Sequence, residues 1–292
     1  MRDFLTLYFA LICGRLSLDS FFGGGKLKKA AASVLIAVFV VFFFVTFLWL
    51  FIPLTRAAHD MEYPALAMEV GVLVSVVPCF WFGFFGVIRN LCFAGDILIL
   101  AHLPVRRICI FRSKTVFVYT CSLFFCGMVM LPALAVYSAI VGGGVFFWLR
   151  GIAVIFLLPV VPMTAGTLLA FLISLIPGNG KNLSAVSKYA SMLIIPVMDA
   201  AMAVLCIFSG DKGEKVGQFL ADHWAALKVW SIPPFSWAAI SVCGGGMTSV
   251  ITALLLCIAV LICWMAVIWI LRAMFVRRVS KVLSSPADRA MR

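Results

Sequence analysis

Six apolar runs, each long enough to cross a bilayer as a helix, dominate this chain and leave it few folds to choose from. They cover about Ala31–Pro53, Ala65–Ile88, Thr115–Ile140, Val145–Ile176, Tyr189–Phe208 and Thr248–Leu271. The first holds 23 residues, or ~35 Å at ~1.5 Å per residue, against a hydrocarbon core of ~30 Å. Backbone polar groups in lipid must be satisfied within their own segment, so spans of this kind are helices. With 65% hydrophobic and 12% charged residues over 292 positions, the chain carries more apolar surface than a soluble core could hide. The expected fold is all-α: a polytopic membrane helix bundle of about six transmembrane helices, forming a single transmembrane domain over 1–292.

Two further segments belong to the membrane without crossing it. In residues 1–29, Phe4, Leu7, Leu11, Ile12, Leu16 and Leu18 recur near a helical period among Arg2, Asp3, Arg15 and Asp19. That pattern predicts an amphipathic surface helix, ended by the glycines and lysines of Phe21–Lys29. Between the fifth and sixth spans, Val216, Phe219, Leu220, Trp224 and Leu227 mark a second amphipathic helix. Pro233 and Pro234 then break the chain, and Phe235–Cys243 is apolar but only nine residues long. It is too short to span, which leaves a re-entrant dip or a loop lying on the surface. The 32-residue run Val145–Ile176 is longer than a membrane needs, and Pro159 and Pro162 lie in its middle. A broken or strongly tilted helix is expected there, because each proline removes a backbone hydrogen bond.

The net charge of +12 would suit nucleic acid if the cations were not sorted by position. Of the 23 Lys and Arg, 18 fall on the N-terminus, the 89–114 and 177–188 loops and the tail after Leu271, and five on the opposite loops and their flanks. The positive-inside rule accounts for this bias. It puts both termini in the cytoplasm, the basic tail 272–292 included, and makes membrane lipids, not nucleic acid, the expected partners of the charge.

Catalytic chemistry finds little to work with. His59, His102 and His223 are far apart, and no zinc, Walker or nucleophile-elbow pattern occurs. The ten cysteines form no C-x-x-C pair. No enzyme activity, metal or cofactor is expected of the chain. Asp199 lies mid-span in the fifth run, three residues after Pro196. An acid at that depth marks a pathway or proton relay by default, or stays protonated and hydrogen-bonded in a structural role.

The stretch Arg89–Lys114 carries Arg89, Arg106, Arg107, Arg112 and Lys114 against Asp96 alone. Asp96 suits the N-cap of a short helix, Ile97–Leu103, which Pro104 stops. Pro104 can open the next helix, placing Arg106 and Arg107 in its first turn, where cations oppose the helix dipole. Lipid phosphates or an acidic partner surface would offset that cost.

The run GDILILAHLPVRRICIFRSK, then MLPALAVY, then LLPVVP, resembles the permease subunits of ABC-2 type exporters. Asp96, Leu103, Pro104, Arg106 and Lys114 match that family's pattern, whereas His102 stands where a small polar residue is usual. The resemblance implies a permease of the bacterial plasma membrane. A separate cytoplasmic ABC ATPase would supply ATP hydrolysis and grip residues 96–107, Arg107 included, as a coupling helix. It also implies a second membrane half, from a homodimer or a paired permease half. Two other classes fit the composition: a non-transporting scaffold, assembly factor or sensor, and an ion-coupled carrier using Asp199.

Overall fold

The computed structural model describes residues 26–60, 63–89, 107–174 and 233–283. The segments expected to form the N-terminal surface helix, up to residue 25, the fifth span at 189–208 and the amphipathic helix at 216–227 lie outside them. So do Asp96, Leu103, Pro104, Arg106 and Asp199.

All seven α-helices among the described residues belong to one bundle. They are α1 Lys26–Asp60, α2 Ala65–Val87, α3 Arg107–Tyr137, α4 Val145–Leu157, α5 Val160–Ser174, α6 Phe235–Cys243 and α7 Gly246–Leu283. Five helical segments are long and apolar enough to cross a membrane: Val40–Asp60, Ala65–Val87, Arg112–Gly142, Val145–Ile173 and Gly246–Ile270. The protein is an all-α, multi-pass membrane bundle. α2 is its hub, packing on α1, α3, α5 and α6. α7 is peripheral: 17% of its span is buried, against 50% for α3.

Helix–helix association in lipid gains little from apolar burial, because acyl chains are as apolar as leucine; close packing must hold the bundle together. Phe43, Phe47 and Phe51 of α1 stack one turn apart and join Met68 and Val72 of α2 and Met130 and Leu134 of α3 in the main cluster. A second cluster gathers Val87, Ile88, Val118, Met163, Ala170, Val267 and Ile270. It fixes the relative direction of the helices: the end of α2, the start of α3 and the end of α7 lie at one end of the bundle. That end carries Arg89, Arg107, Arg112, Lys114, Arg272, Arg277, Arg278 and Lys281, together with Lys26, Lys28 and Lys29 at the start of α1. Arg56 and Arg150 lie toward the other.

Helix α1 corrects two expected boundaries. Lys26–Lys29 are its first turn, not part of a break, and the chain stays helical past Pro53, the predicted end of the first span, to Asp60. Leu54, Thr55, Ala57 and Ala58 are buried, so packing holds the turn beyond Pro53 in helical form. The hydroxyl Oγ1 of Thr55 is buried without a hydrogen-bond partner among the described residues. Such a group forfeits its hydration and recovers nothing. Thr55→Val should therefore leave the midpoint of thermal unfolding unchanged or raise it, by up to about 1 kcal/mol. A loss of that size would mean that the hydroxyl is satisfied.

The other boundaries move the same way. α3 starts at Arg107, eight residues before the predicted span, and α7 runs through Arg272–Lys281 to Leu283, taking in half of the predicted tail. Between α3 and α4 the chain reverses at Gly142–Gly144: a π-helical turn, Ser138–Gly142, ends at Gly142 with φ +95, and Gly143 is extended. Tyr137 and Phe147 stack across the turn, 5.2 Å apart.

Candidate functional site

The described polar side chains that link different helices concentrate at the end opposite the basic one, around the short helix α6. Pro234 precedes its first residue and accepts from the amide of Ala238 at 3.2 Å. Nine residues later the chain turns out through Gly244. A Cβ there would meet Ile240 O at 2.5 Å, so the turn needs glycine. Gly246, with φ +61, then opens α7. Ala238, Ala239, Ser241 and Val242 of α6 are buried, and the helix packs on α2, α4 and α7. Of the two expectations for Phe235–Cys243, the inserted helix is the one found, and a loop lying on the surface is not.

Arg150 fastens α6 in place. It is the sixth residue of α4, and its Nε donates to Phe146 O of its own helix at 3.2 Å. Nη1 reaches Gly244 O at 3.1 Å and Ser241 O at 3.5 Å, and also Ser249 Oγ in the first turn of α7. Ser249 donates in turn to Ser241 O at 2.8 Å. One guanidinium thus joins three helices. Its charge meets the carbonyl end of α6, where the helix dipole favours a cation, and each charge-assisted bond contributes about 1.5–3 kcal/mol.

The far side of α6 meets α2 and α3. The buried Tyr137 lies beside Cys243, and Glu69 accepts from Tyr63 at 2.8 Å. Glu69 and Arg150 act on Cys243 with opposite sign, but burial dominates and pushes its thiol up to about 11. Thiolate is the reactive form, so Cys243 is inert near neutrality. Burial, then the Glu69 carboxylate, push the half-exposed Tyr63 phenol up to about 12 and keep it a donor. Among the described residues no cluster of His, Cys, Asp and Glu could hold a metal ion. This network binds helices together.

A second irregularity lies deeper. α4 ends at Leu157, and Leu158–Pro159 form a turn before α5. Pro159 cannot donate back to Ile155, and the carbonyl of the next residue, Phe156, accepts instead from Tyr119 of α3 at 2.7 Å. Pro162 falls in the first turn of α5, where a missing N–H costs little. Thr164, just beyond, donates to Val160 O at 2.7 Å and reaches Cys263 O of α7 at 3.5 Å. Past this joint α2 and α5 cross backbone to backbone. A Cβ on Gly83 would meet Met163 Cα at 2.8 Å, and one on Gly166 would meet Phe84 N at 2.7 Å and Phe80 O at 2.8 Å.

The residues singled out from sequence are only partly gathered here. Pro159 and Pro162 flank the joint. Arg107 is the first residue of α3, and Lys114, two turns on, is buried at 2% exposure beside buried Ser113 and Thr115; both belong to the basic end, far from α6. Arg150 is one of the five cations assigned to the opposite side, and as an ionisable residue inside an apolar run it carried a signal in the sequence. No family model, curated protein or solved structure matches this chain.

Proposed function

We propose that this chain is a membrane permease that moves a substrate through the bilayer, driven by a separate cytoplasmic ATPase of the ABC class. The observation that carries the transport reading is the interrupted backbone within the bundle. A nine-residue helix inserts among α2, α4 and α7, and α4 breaks from α5 at Pro159. Broken helices at membrane depth occur where protein or a water-lined cavity surrounds them, and they frame binding sites in transporters. A scaffold has no need of them.

The ATPase coupling rests on the ABC-2 resemblance of Asp96, Leu103, Pro104, Arg106 and Lys114, and on the gathering of cations at the end where α3 begins. The basic end faces the cytoplasm of a bacterium, by the positive-inside rule. Residues 96–107 dock in the ATPase, which alone hydrolyses ATP, and a second copy or paired half completes the pathway. Asp199 is a candidate pathway acid.

Co-purification with candidate ABC ATPases of the same cell tests the coupling. The double substitution Arg106→Glu with Arg107→Glu should abolish both capture of the ATPase and stimulation of its hydrolysis. A complex that survives with full stimulation would remove these residues from the interface.

A further inference from the structure

Among the described residues, Arg150 is a cation without an anion. Its acceptors among the described residues are three carbonyls and one hydroxyl, all neutral, and its second amino nitrogen, Nη2, makes no bond there. It also has exposed apolar residues on both sides of it along α4. Along α4, Val145 and Phe146, 80% and 79% exposed, lie on the side nearer the bundle's end, and the exposed Ile152 lies on the other. The first turns of α7, joined to Arg150 through Ser249, present Met247, Val250 and Leu254, all exposed. The guanidinium therefore bridges a seam whose two walls continue outward as lipid-facing surface.

We propose that this seam is a phospholipid site, in which Arg150 takes the headgroup phosphate through Nη2 and the walls of α4 and α7 receive the acyl chains. A charge at that depth is costly unless paired. Arg150 starts only ~7.5 Å, five residues, from the beginning of α4, and a long side chain snorkels toward the headgroups. A phosphodiester is the anion present there in quantity, and Nη2 can donate charge-assisted hydrogen bonds to its oxygens. The inference needs only that the bundle spans a membrane and is independent of the permease reading.

Native mass spectrometry of the full chain, stripped of lipid in neutral detergent, tests it. The probes are phosphatidylglycerol, diacylglycerol with the same chains, and inorganic phosphate. The wild type should hold one phosphatidylglycerol at least about tenfold more tightly than diacylglycerol, the margin of a single charged hydrogen bond. Arg150→Gln should abolish that preference, Arg150→Lys should keep most of it, and Arg56→Gln, a cation toward the same end, should leave it intact. Equal binding of the two lipids by the wild type overturns the proposal without any variant having to fold. So does displacement of the lipid by millimolar phosphate, which would mean a soluble-anion pocket, or a loss in Arg56→Gln equal to that in Arg150→Gln.

Discussion

Gly166→Ala is expected to destabilise the bundle by about 1–3 kcal/mol, the usual cost of overpacking. The added methyl would approach Phe84 N, Phe80 O and Gly83 C at 2.7, 2.8 and 3.1 Å. All three are backbone atoms, so no rotamer change relieves the clash and α2 must move away from α5. Because α2 also packs on α1, α3 and α6, the displacement spreads. Gly127→Ala serves as an internal comparison: its Cβ would find only Ile155 Cγ2, at an ordinary 3.9 Å. That change should be neutral or stabilising, since alanine is the better helix former. Thermal unfolding in one detergent compares the pair, and equal midpoints would mean that α2 and α5 do not touch at Gly83 and Gly166.

Arg150→Met should release α6. The substitution keeps an apolar stem and deletes the bonds to Ser241, Gly244 and Ser249. The bonds are partly solvated and removed together, which suggests a loss of about 2–4 kcal/mol. A more specific readout is Cys243. Burial holds its thiol near 11, up from an ordinary 9.0. If α6 comes loose, that value should fall back, raising the thiolate fraction at pH 8 on the order of a hundredfold. Alkylation followed peptide by peptide separates Cys243 from the other cysteines. A rate as slow as in the wild type would show that α6 is held by something other than Arg150.

Hydropathy made the described spans legible because it reports where lipid lies. It does not report where a helix stops. Lys26–Lys29, Thr55–Asp60 and Arg272–Leu283 are helical beyond the predicted spans because charge does not interrupt backbone hydrogen bonding when neighbouring turns are intact. The break at Pro159 was legible since proline acts on its own carbonyl partner, a local effect. The fastening of α6 was not. Arg150 finds its acceptors 91–99 residues away, and two of the three are backbone carbonyls, which look alike in any sequence. Nor could nine apolar residues declare whether they pack into the bundle, as the buried Ala238 and Ala239 do in the main cluster.

The lengths of α1 and α7 have a mechanical consequence. At 35 and 38 residues they are rods of ~52 and ~57 Å, nearly twice the hydrocarbon thickness, and the surplus of α7, beyond Ile270, lies at the basic end. α7 is thus a lever whose long arm projects from the membrane and whose short arm ends at Ser249. Ser249 lies ~23 Å from the rod's midpoint, so a tilt of about 5° there would carry it ~2 Å. A hydrogen bond does not survive that slip. Whatever pulls on the basic end of α7 therefore has its hand on the fastening of α6, across the full thickness of the bilayer.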